Sequence, residues 1–579
     1  MIVEIKMKEY LTKIIEHQLI RSTLTVFVFV FMVLFVPNPV HGQREIIEPE
    51  FSINLSMGEY GQFPNFEISY SHLKKNRVDL TGWDVGESFS QTTTKELREV
   101  VDEAFTSRFN IVYLRVDWKS MEPVENMPLY GLNKIASFLD EIDERNRASV
   151  NGHKVRVIIA LELDRPPAWF KTKHPASVMS HINPFKEKMG PMGPVEHYKS
   201  YSIDLDYGIL NDPDYQKAAK KVIYDIVPHF QYHPALFGWA VTSPSSPMMY
   251  PGAGKDGVGG FADYSLHSRS RFDEDNKIDE NYKPLARESQ GEPDLRPEWM
   301  AWNRFRREMR RKAVDEFGMQ IFTIDVNHPI FVNFWGMMAY EGDNGYRSEV
   351  WGNDYYYQLT QPYVNGALIP FQLSSKTFEY PSGADDMDSL HQLCAAVEMA
   401  QRHQKVPLLM VEKSWRNPPR LQDITDLAHL AVALGVDIIW SRSGMSDLSM
   451  PWHAAEKATI ERTAHLNNFP LPSKRKLSRI AILDYPFELS KFYAEKDNEL
   501  EDSLAILDAF QDAGVNYSVV TPDEISLLVK ENVKAEEIPE WLSDIKLVAP
   551  LAGNLAEYLP ERVSNFFKQL KNKDIEPYI

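Results

Sequence analysis

VPLLMVEKSW (406–415) is a short apolar run that ends in a carboxylate, Glu412, with Trp415 close behind. A continuous apolar stretch of this length reads as a strand buried on both faces, the kind that parallel sheets are built from. ITDLAHLAVALG (424–435) follows with helical spacing, VDIIWS (436–441) is again strand-like, and HAAEKATIERTAHL (453–466) is again helical. Strand, helix, strand, helix is the rhythm of a parallel α/β fold.

The same rhythm extends backwards from Val406. VDLTGW (78–83) precedes TTTKELREVVDEAF, NIVYLRVDW (110–118) precedes GLNKIASFLDEIDE, and KVRVIIALEL (154–163) leads through a long loop to DPDYQKAAKKVIYDIV. ALFGWAV (235–241) leads through a longer loop to PEWMAWNRFRREMRRKAVDEF (297–317). FVNFWG (331–336) is a fifth strand, and GALIPFQL (366–373), followed by DDMDSLHQLCAAVEMAQRH, is a sixth. With the strands at 406–412 and 436–441 this makes eight strand–helix units, which predicts a (β/α)8 barrel over 78–467. A doubly wound open sheet is the competing architecture, but it rarely repeats eight times. Asp212-Pro213 and Arg296-Pro297-Glu298 put Pro at the start of helices, where its missing N–H is harmless.

A basic linker, 468–477, separates the barrel from a smaller unit at 478–579. RIAILDY (479–485), VNYSVVT (515–521) and IKLVAPLAG (545–553) read as strands, alternating with the helices SLAILDAFQDAG and LPERVSNFFKQLKN. This predicts a parallel α/β domain. No Gly-rich phosphate loop follows any of its strands, so assembly suits it better than a second active site.

At the other end, Lys6, Lys8, Lys13 and Arg21 precede an apolar run from Leu24 to Val36, which is short for a bilayer. Residues 1–42 therefore read as a signal peptide, ending near Val40-His41-Gly42, or as an uncleaved anchor. Either way the remainder is exported, with 43–77 as a lead-in. The formal net charge of −19 argues against nucleic acid as a partner, because phosphate binding needs clustered Lys and Arg. Cys394 is the single cysteine, so an intrachain disulfide and a cysteine zinc site are both excluded.

In a (β/α)8 barrel the reactive groups lie at the C-terminal ends of the strands. Those ends carry Asp84 and Glu87; Arg115, Asp117 and Trp118, with Glu122 beyond; Glu162 and Asp164; Thr242, Ser243 and Pro244; Asn333 and Trp335; Glu412 and Trp415; Trp440 and Arg442. The set is acidic, aromatic and amide-rich. It has no His cluster and no G-x-S-x-G elbow. Carboxylates for an anomeric carbon, polar groups for hydroxyls and indole faces for a sugar ring are what a glycan site requires. No metal and no cofactor is expected. Each aromatic also has a packing alternative, and Arg115 an ion-pairing one.

HPALFGWAV, RVIIALELDRPPAWFKTKHP, FNIVYLRVDWKSMEP, IFVNFWG, LLMVEKSW and GGFADYSLHSRSRF together resemble glycoside hydrolase family 42, the β-galactosidase-like enzymes. The resemblance covers about 78–570 and implies a retaining exo-glycosidase on a carbohydrate substrate. It also implies a homo-oligomer, a trimer, assembled through the C-terminal domain. By position, Glu412 matches the nucleophile, Arg115 an arginine near the reacting sugar, and Trp440 and His453 positions beside the pocket. The family's fourth strand ends in Asn-Glu, with Glu as general acid/base. Here the same place reads Ser243-Pro244. Three expectations follow: a barrel that only binds glycans or serves as a scaffold, an acid relocated to Glu162, Asp164, Asp256 or Asp263, or a substrate whose leaving group needs little protonation.

Overall fold

The computed structural model describes residues 55–56, 65–66, 82–84, 94–106, 110–126, 131–150, 152–178, 208–241, 268, 270–272, 296–333, 358–375, 377, 387–413, 419–441, 480–483, 517–520, 547–550 and 576–577. The first 42 residues, the helices expected at 453–466, 503–514 and 559–572, and the boundaries assigned to the domains lie outside them.

Eight strands form a closed parallel barrel: β1 (Gly82–Asp84), β2 (Ile111–Asp117), β3 (Arg156–Glu162), β4 (Leu236–Val241), β5 (Ile330–Asn333), β6 (Gly366–Leu373), β7 (Val406–Lys413) and β8 (Asp437–Ser441). They pair in chain order, and β8 closes onto β1 through Ile439↔Gly82. Each coincides with an apolar run expected to be a strand, although β1 starts later than its run. A short antiparallel pair, Leu55–Ser56 with Asn65–Phe66, precedes them.

β2, β3 and β4 are buried along nearly their whole length, because both of their faces are covered. Alternate residues go to two cores. Ile111, Tyr113, Ile158, Ala160, Phe237, Ala240, Phe331, Leu368, Leu408, Met410 and Ile439 fill the barrel interior. Val112, Leu114, Val157, Ile159, Trp239, Val332, Ile369, Leu409 and Val411 meet the helices outside.

The register gives the pitch of the barrel. Stepping across hydrogen-bonded partners from Met410 through Ile439, Gly82 and Ile111 leads to Arg156 on β3. The opposite route joins Pro407 through Ala367, Val332 and Val241 to Leu161, so Met410 corresponds by that route to Asp164. The two answers differ by eight residues, which is the shear of a (β/α)8 barrel. The residue on β3 level with Met410 is midway between them, Ala160. Both side chains lie in the interior core, as that geometry requires.

The described helices of the outer ring are α1 (Thr94–Thr106), α2 (Trp118–Met121), α3 (Leu132–Ala148), α4 (Ala168–Lys173), α5 (Pro213–Phe230), α6 (Arg296–Ile324), α7 (Met387–Arg402) and α8 (Leu421–Leu434). α5 starts where Asp212 Oδ1 accepts the Tyr215 amide at 2.9 Å, a side-chain cap followed by Pro at the first turn. α3 buries Ile135, Phe138, Leu139 and Ile142 at helical spacing. At its end, Asn146 exchanges two hydrogen bonds with Val155, at 2.7 and 2.8 Å, which fixes the helix against the start of β3.

α6 runs seven residues past the expected stop at Phe317. A Cβ at Gly318 would lie 2.2 Å from the Tyr363 ring, so this glycine sets a close approach between helix and loop rather than a C-cap. On β4 the register slips between Val157 and Ile158, and Phe237 is the extra residue. A Cβ on the neighbouring Gly238 would sit 2.6 Å from the Pro329 carbonyl, the same oxygen that accepts the Trp239 amide at 2.9 Å.

The C-terminal strands β9 (Ile480–Leu483), β10 (Tyr517–Val520), β11 (Leu547–Pro550) and β12 (Glu576–Pro577) form a parallel sheet in the order β10-β9-β11-β12. The last of them was not anticipated from sequence. The sheet meets the barrel at α7: Val520 is buried in the outer core, and Ser518 Oγ donates to Glu398 at 2.6 Å.

Candidate active site

The barrel interior changes character towards the C-terminal ends of its strands. On β2 the inward alternation runs Ile111, Tyr113, Arg115, Asp117, and on β3 Ile158, Ala160, Glu162. Arg115 Nε stands 3.9 Å from Glu162 Oε1, with side chains 20% and 26% exposed, so both reach open space at the mouth. Asp117, the register partner of Glu162, is buried. On β7 the alternation runs Leu408, Met410, Glu412, which makes Glu412 the first position above the apolar layer. Its partner on β6 is Gln372, which sequence reasoning passed over. The signal was there: Gln372 is the one polar residue in GALIPFQL. Asn333 closes β5 opposite Leu368, and Trp440 on β8 pairs with Trp83 and Val411.

Trp118 requires a correction. Expected at a sugar-binding strand end, it is instead the first residue of α2 and is fully buried. Its ring packs 5.4 Å from Phe170, 6.1 Å from Tyr215 and 6.4 Å from Trp169, in the outer core. The reason is alternation: Asp117 takes the inner face, so the next residue turns out. Trp118 Nε1 donates to Glu122 Oε2 at 3.2 Å, and Trp169 Nε1 donates to the Glu122 carbonyl at 2.8 Å. The Lys221 ammonium lies 3.6 Å from the buried Glu122 carboxylate. Pro166-Pro167-Ala168-Trp169 is thus the start of a brace that holds the loop after β2 against the loop after β3.

Asp164 is buried beside that brace. Burial raises the Tyr215 phenol well above its ordinary value, with the Asp164 charge adding to the shift, and Tyr215 Oη donates to the Leu163 carbonyl at 2.9 Å. Of the two described candidates for a relocated acid, Glu162 faces the mouth and Asp164 the packing around Tyr215. Trp335, Trp415, His453, Asp256, Asp263 and the Ser243-Pro244 pair lie outside the described residues.

The loops after β6 and β7 are tied together. Arg420 Nη2 donates to the Ser375 carbonyl at 2.9 Å, and Asp423 accepts from both the Arg420 amide, at 2.6 Å, and its guanidinium. Below the floor of the barrel, Lys405 Nζ donates to the carbonyls of Val364 at 2.6 Å and Gln361 at 3.1 Å, and burial lowers its pKa to about 8. Among the described residues, no group of three or more His, Cys, Asp or Glu could hold a metal ion, and no helix is long and apolar enough to cross a membrane.

No family model matches the chain, and no curated protein matches it. Solved structures do. The β-galactosidase from Rahnella sp. R3 aligns over 85% of this chain and 70% of its own, at 14% identity and a TM-score of 0.56. Gan42B, a family 42 β-galactosidase, aligns over 82% and 67% at 13% identity and a TM-score of 0.55, and also appears in a form whose catalytic glutamate is replaced by alanine. The β-galactosidase of the Antarctic haloarchaeon Halorubrum lacusprofundi aligns over 84% and 70% at 12% identity and a TM-score of 0.54. At these identities the likeness is one of architecture: the chain has the fold of the family 42 β-galactosidases.

Proposed function

We propose that the protein is an exported glycoside hydrolase that acts on β-galactoside-like or related glycans by a retaining mechanism. The observation that carries this reading is the place of Glu412, at the C-terminal end of β7 and one step above the apolar filling of a closed barrel. That end of the barrel is where catalytic groups sit. Arg115 and Glu162, 3.9 Å apart and partly exposed, make the same mouth charged and polar. In the first step the Glu412 carboxylate attacks the anomeric carbon, and the glycosidic C–O bond breaks as the leaving oxygen takes up a proton. In the second, water attacks the same carbon and Glu412 is released. The fold shared with β-galactosidases, one of them known with its catalytic glutamate replaced, supports carboxylate chemistry at this mouth.

The test is hydrolysis of 2,4-dinitrophenyl and 4-nitrophenyl β-galactosides and of lactose, with the anomer of the first-formed sugar read by NMR. Retention with loss of turnover in Glu412→Gln supports the proposal. Inversion, or full activity in Glu412→Gln, overturns it. Glycan binding without turnover on any substrate would favour the non-catalytic binder that Ser243-Pro244 also suits. Export is tested by N-terminal sequencing of the mature protein, which should begin after residue 42. The trimer is tested by light scattering.

A further inference from the structure

A retaining hydrolase needs a second carboxylate across the cleft from its nucleophile. The place after β4 where family resemblance expects it reads Ser243-Pro244, and neither residue carries a carboxylate. The register of the barrel identifies the position level with Glu412 on the opposite strand. Met410 is level with Ala160 on the opposite strand, and both fill the interior. Two residues further along each strand, still on the inner alternation, Glu412 on β7 is level with Glu162 on β3. β3 and β7 are separated by three strands in each direction, so they are diametrically opposed. The interior of an eight-stranded barrel is just wide enough for side chains to fill. Glu162 and Glu412 therefore hold facing register positions, at one level on opposite strands of a narrow mouth.

We infer that Glu162 is the general acid/base of this enzyme, taking from β3 the role that Ser243-Pro244 cannot fill at the end of β4. The inference rests on Glu412 being the nucleophile. Among the described acids of β2, β3 and the loops that follow them, exposure separates Glu162: its side chain is 26% exposed, whereas Asp117, Glu122 and Asp164 are buried. Arg115, with Nε 3.9 Å from Glu162 Oε1, is a positioning residue that keeps the carboxyl turned into the mouth. In the first step protonated Glu162 gives its proton to the glycosidic oxygen as the C–O bond breaks and the Glu412 ester forms. In the second, the Glu162 carboxylate takes a proton from water as that oxygen attacks the anomeric carbon, releasing the Glu412 carboxylate.

The experiment compares Glu162→Ala and Glu162→Gln with wild type on lactose and on 2,4-dinitrophenyl β-galactoside, without and with sodium azide. Losing a general acid costs ~10²–10⁴-fold where the leaving group needs a proton and little where it does not. Turnover of lactose should fall by that factor. Formation of the glycosyl-enzyme from the dinitrophenyl substrate should fall less than about tenfold, because its leaving group needs no proton. Azide needs no base. It attacks the glycosyl-enzyme from the face opposite the ester, so Glu162→Ala should be rescued and yield the β-glycosyl azide. Glu412→Ala should instead yield the α-azide, and Asp164→Asn should leave the ratio between the substrates unchanged.

Equal loss on both substrates without azide rescue, in a variant whose circular dichroism matches wild type, overturns the assignment of Glu162 alone. Absence of the α-azide from Glu412→Ala, together with no labelling of Glu412 by 2,4-dinitrophenyl 2-deoxy-2-fluoro-β-galactoside, overturns the nucleophile and with it this inference.

Discussion

Replacing Asp325 should cost more than any surface substitution, although it is far from the mouth in sequence and function. Asp325 follows α6 and is almost completely buried. Its Oδ2 accepts from Trp239 Nε1 and from His328 Nδ1, both at 2.8 Å, and its Oδ1 accepts the Asn327 amide at 3.0 Å. Burial works against its charge, but the His328 hydrogen bond and charge, with the Trp239 and Asn327 donors, hold its pKa below 3.8. Asp325→Ala leaves the fully buried Trp239 indole N–H without an acceptor, which costs about 1–3 kcal/mol. It also removes the acceptor of the partly exposed His328 and of the Asn327 amide, each hydrogen bond adding about 0.5–1.5 kcal/mol. Since domains are stable by only about 5–15 kcal/mol, the variant should lose a large share of its stability.

The assay is urea unfolding followed by far-ultraviolet circular dichroism, in a double-mutant cycle with Trp239→Phe. We expect coupling of at least about 1 kcal/mol between the two sites. The sign with pH follows from the lowered pKa. The contribution is present above the unfolded carboxylate value and lost as pH falls through the folded one. The gap between wild type and Asp325→Asn should therefore close on acidification below about pH 4. A cost for Asp325→Ala under about 1 kcal/mol, or additive behaviour with Trp239→Phe, would refute the reasoning.

Lys405 gives a pH trend of the same sign in an alkaline window. With its pKa lowered from 10.5 to about 8, the folded protein sheds a proton that the unfolded chain keeps, so stability should rise between those values, by up to about 3 kcal/mol. Lys405→Met should flatten that slope in urea midpoints measured from pH 7 to 10.5. Gly238→Ala, whose Cβ would meet the Pro329 carbonyl, should destabilise by about 1–3 kcal/mol in the same unfolding assay. Trp118→Phe should lower the unfolding midpoint through loss of its bond to Glu122 while leaving KM for 4-nitrophenyl β-galactoside unchanged; a raised KM would return Trp118 to the sugar site.

The strands were legible where burial on both faces leaves an apolar run with little alternation, as at β2, β3 and β4; β1, from the mixed VDLTGW, was legible mainly by its place in the rhythm. Helix ends were less so. The helix expected to end at Phe317 runs on to Ile324 through Gly318, whose close approach to the Tyr363 ring, far along the chain, no local pattern announces. At the site, Arg115, Glu162 and Glu412 were visible as polar residues ending apolar runs. Trp118 follows the inward Asp117 and so turns outward, a matter of side-chain alternation that its place at a strand end does not show. The Trp239–Asp325–His328 contacts and the Lys405 carbonyl contacts were invisible, since their partners lie on other elements and no local pattern announces them. The pair Gly238-Trp239, part of the resemblance to family 42, proves to be scaffold: a close backbone approach and a buried anchor. Its presence speaks for the architecture of β4 and not for the chemistry beyond it.

The eight-residue offset around the barrel has a consequence for how barrels of this kind can change. Strands that share one pitch offer a ring of equivalent stations at the mouth, each facing a counterpart on the opposite wall. A functional group can leave one station and be replaced at the next without any repacking beneath, because the apolar floor is indifferent to which strand carries the load above it. Chemistry on this scaffold is portable. A missing residue at one address, such as the end of β4, is then a reason to look at the neighbouring addresses before writing the activity off.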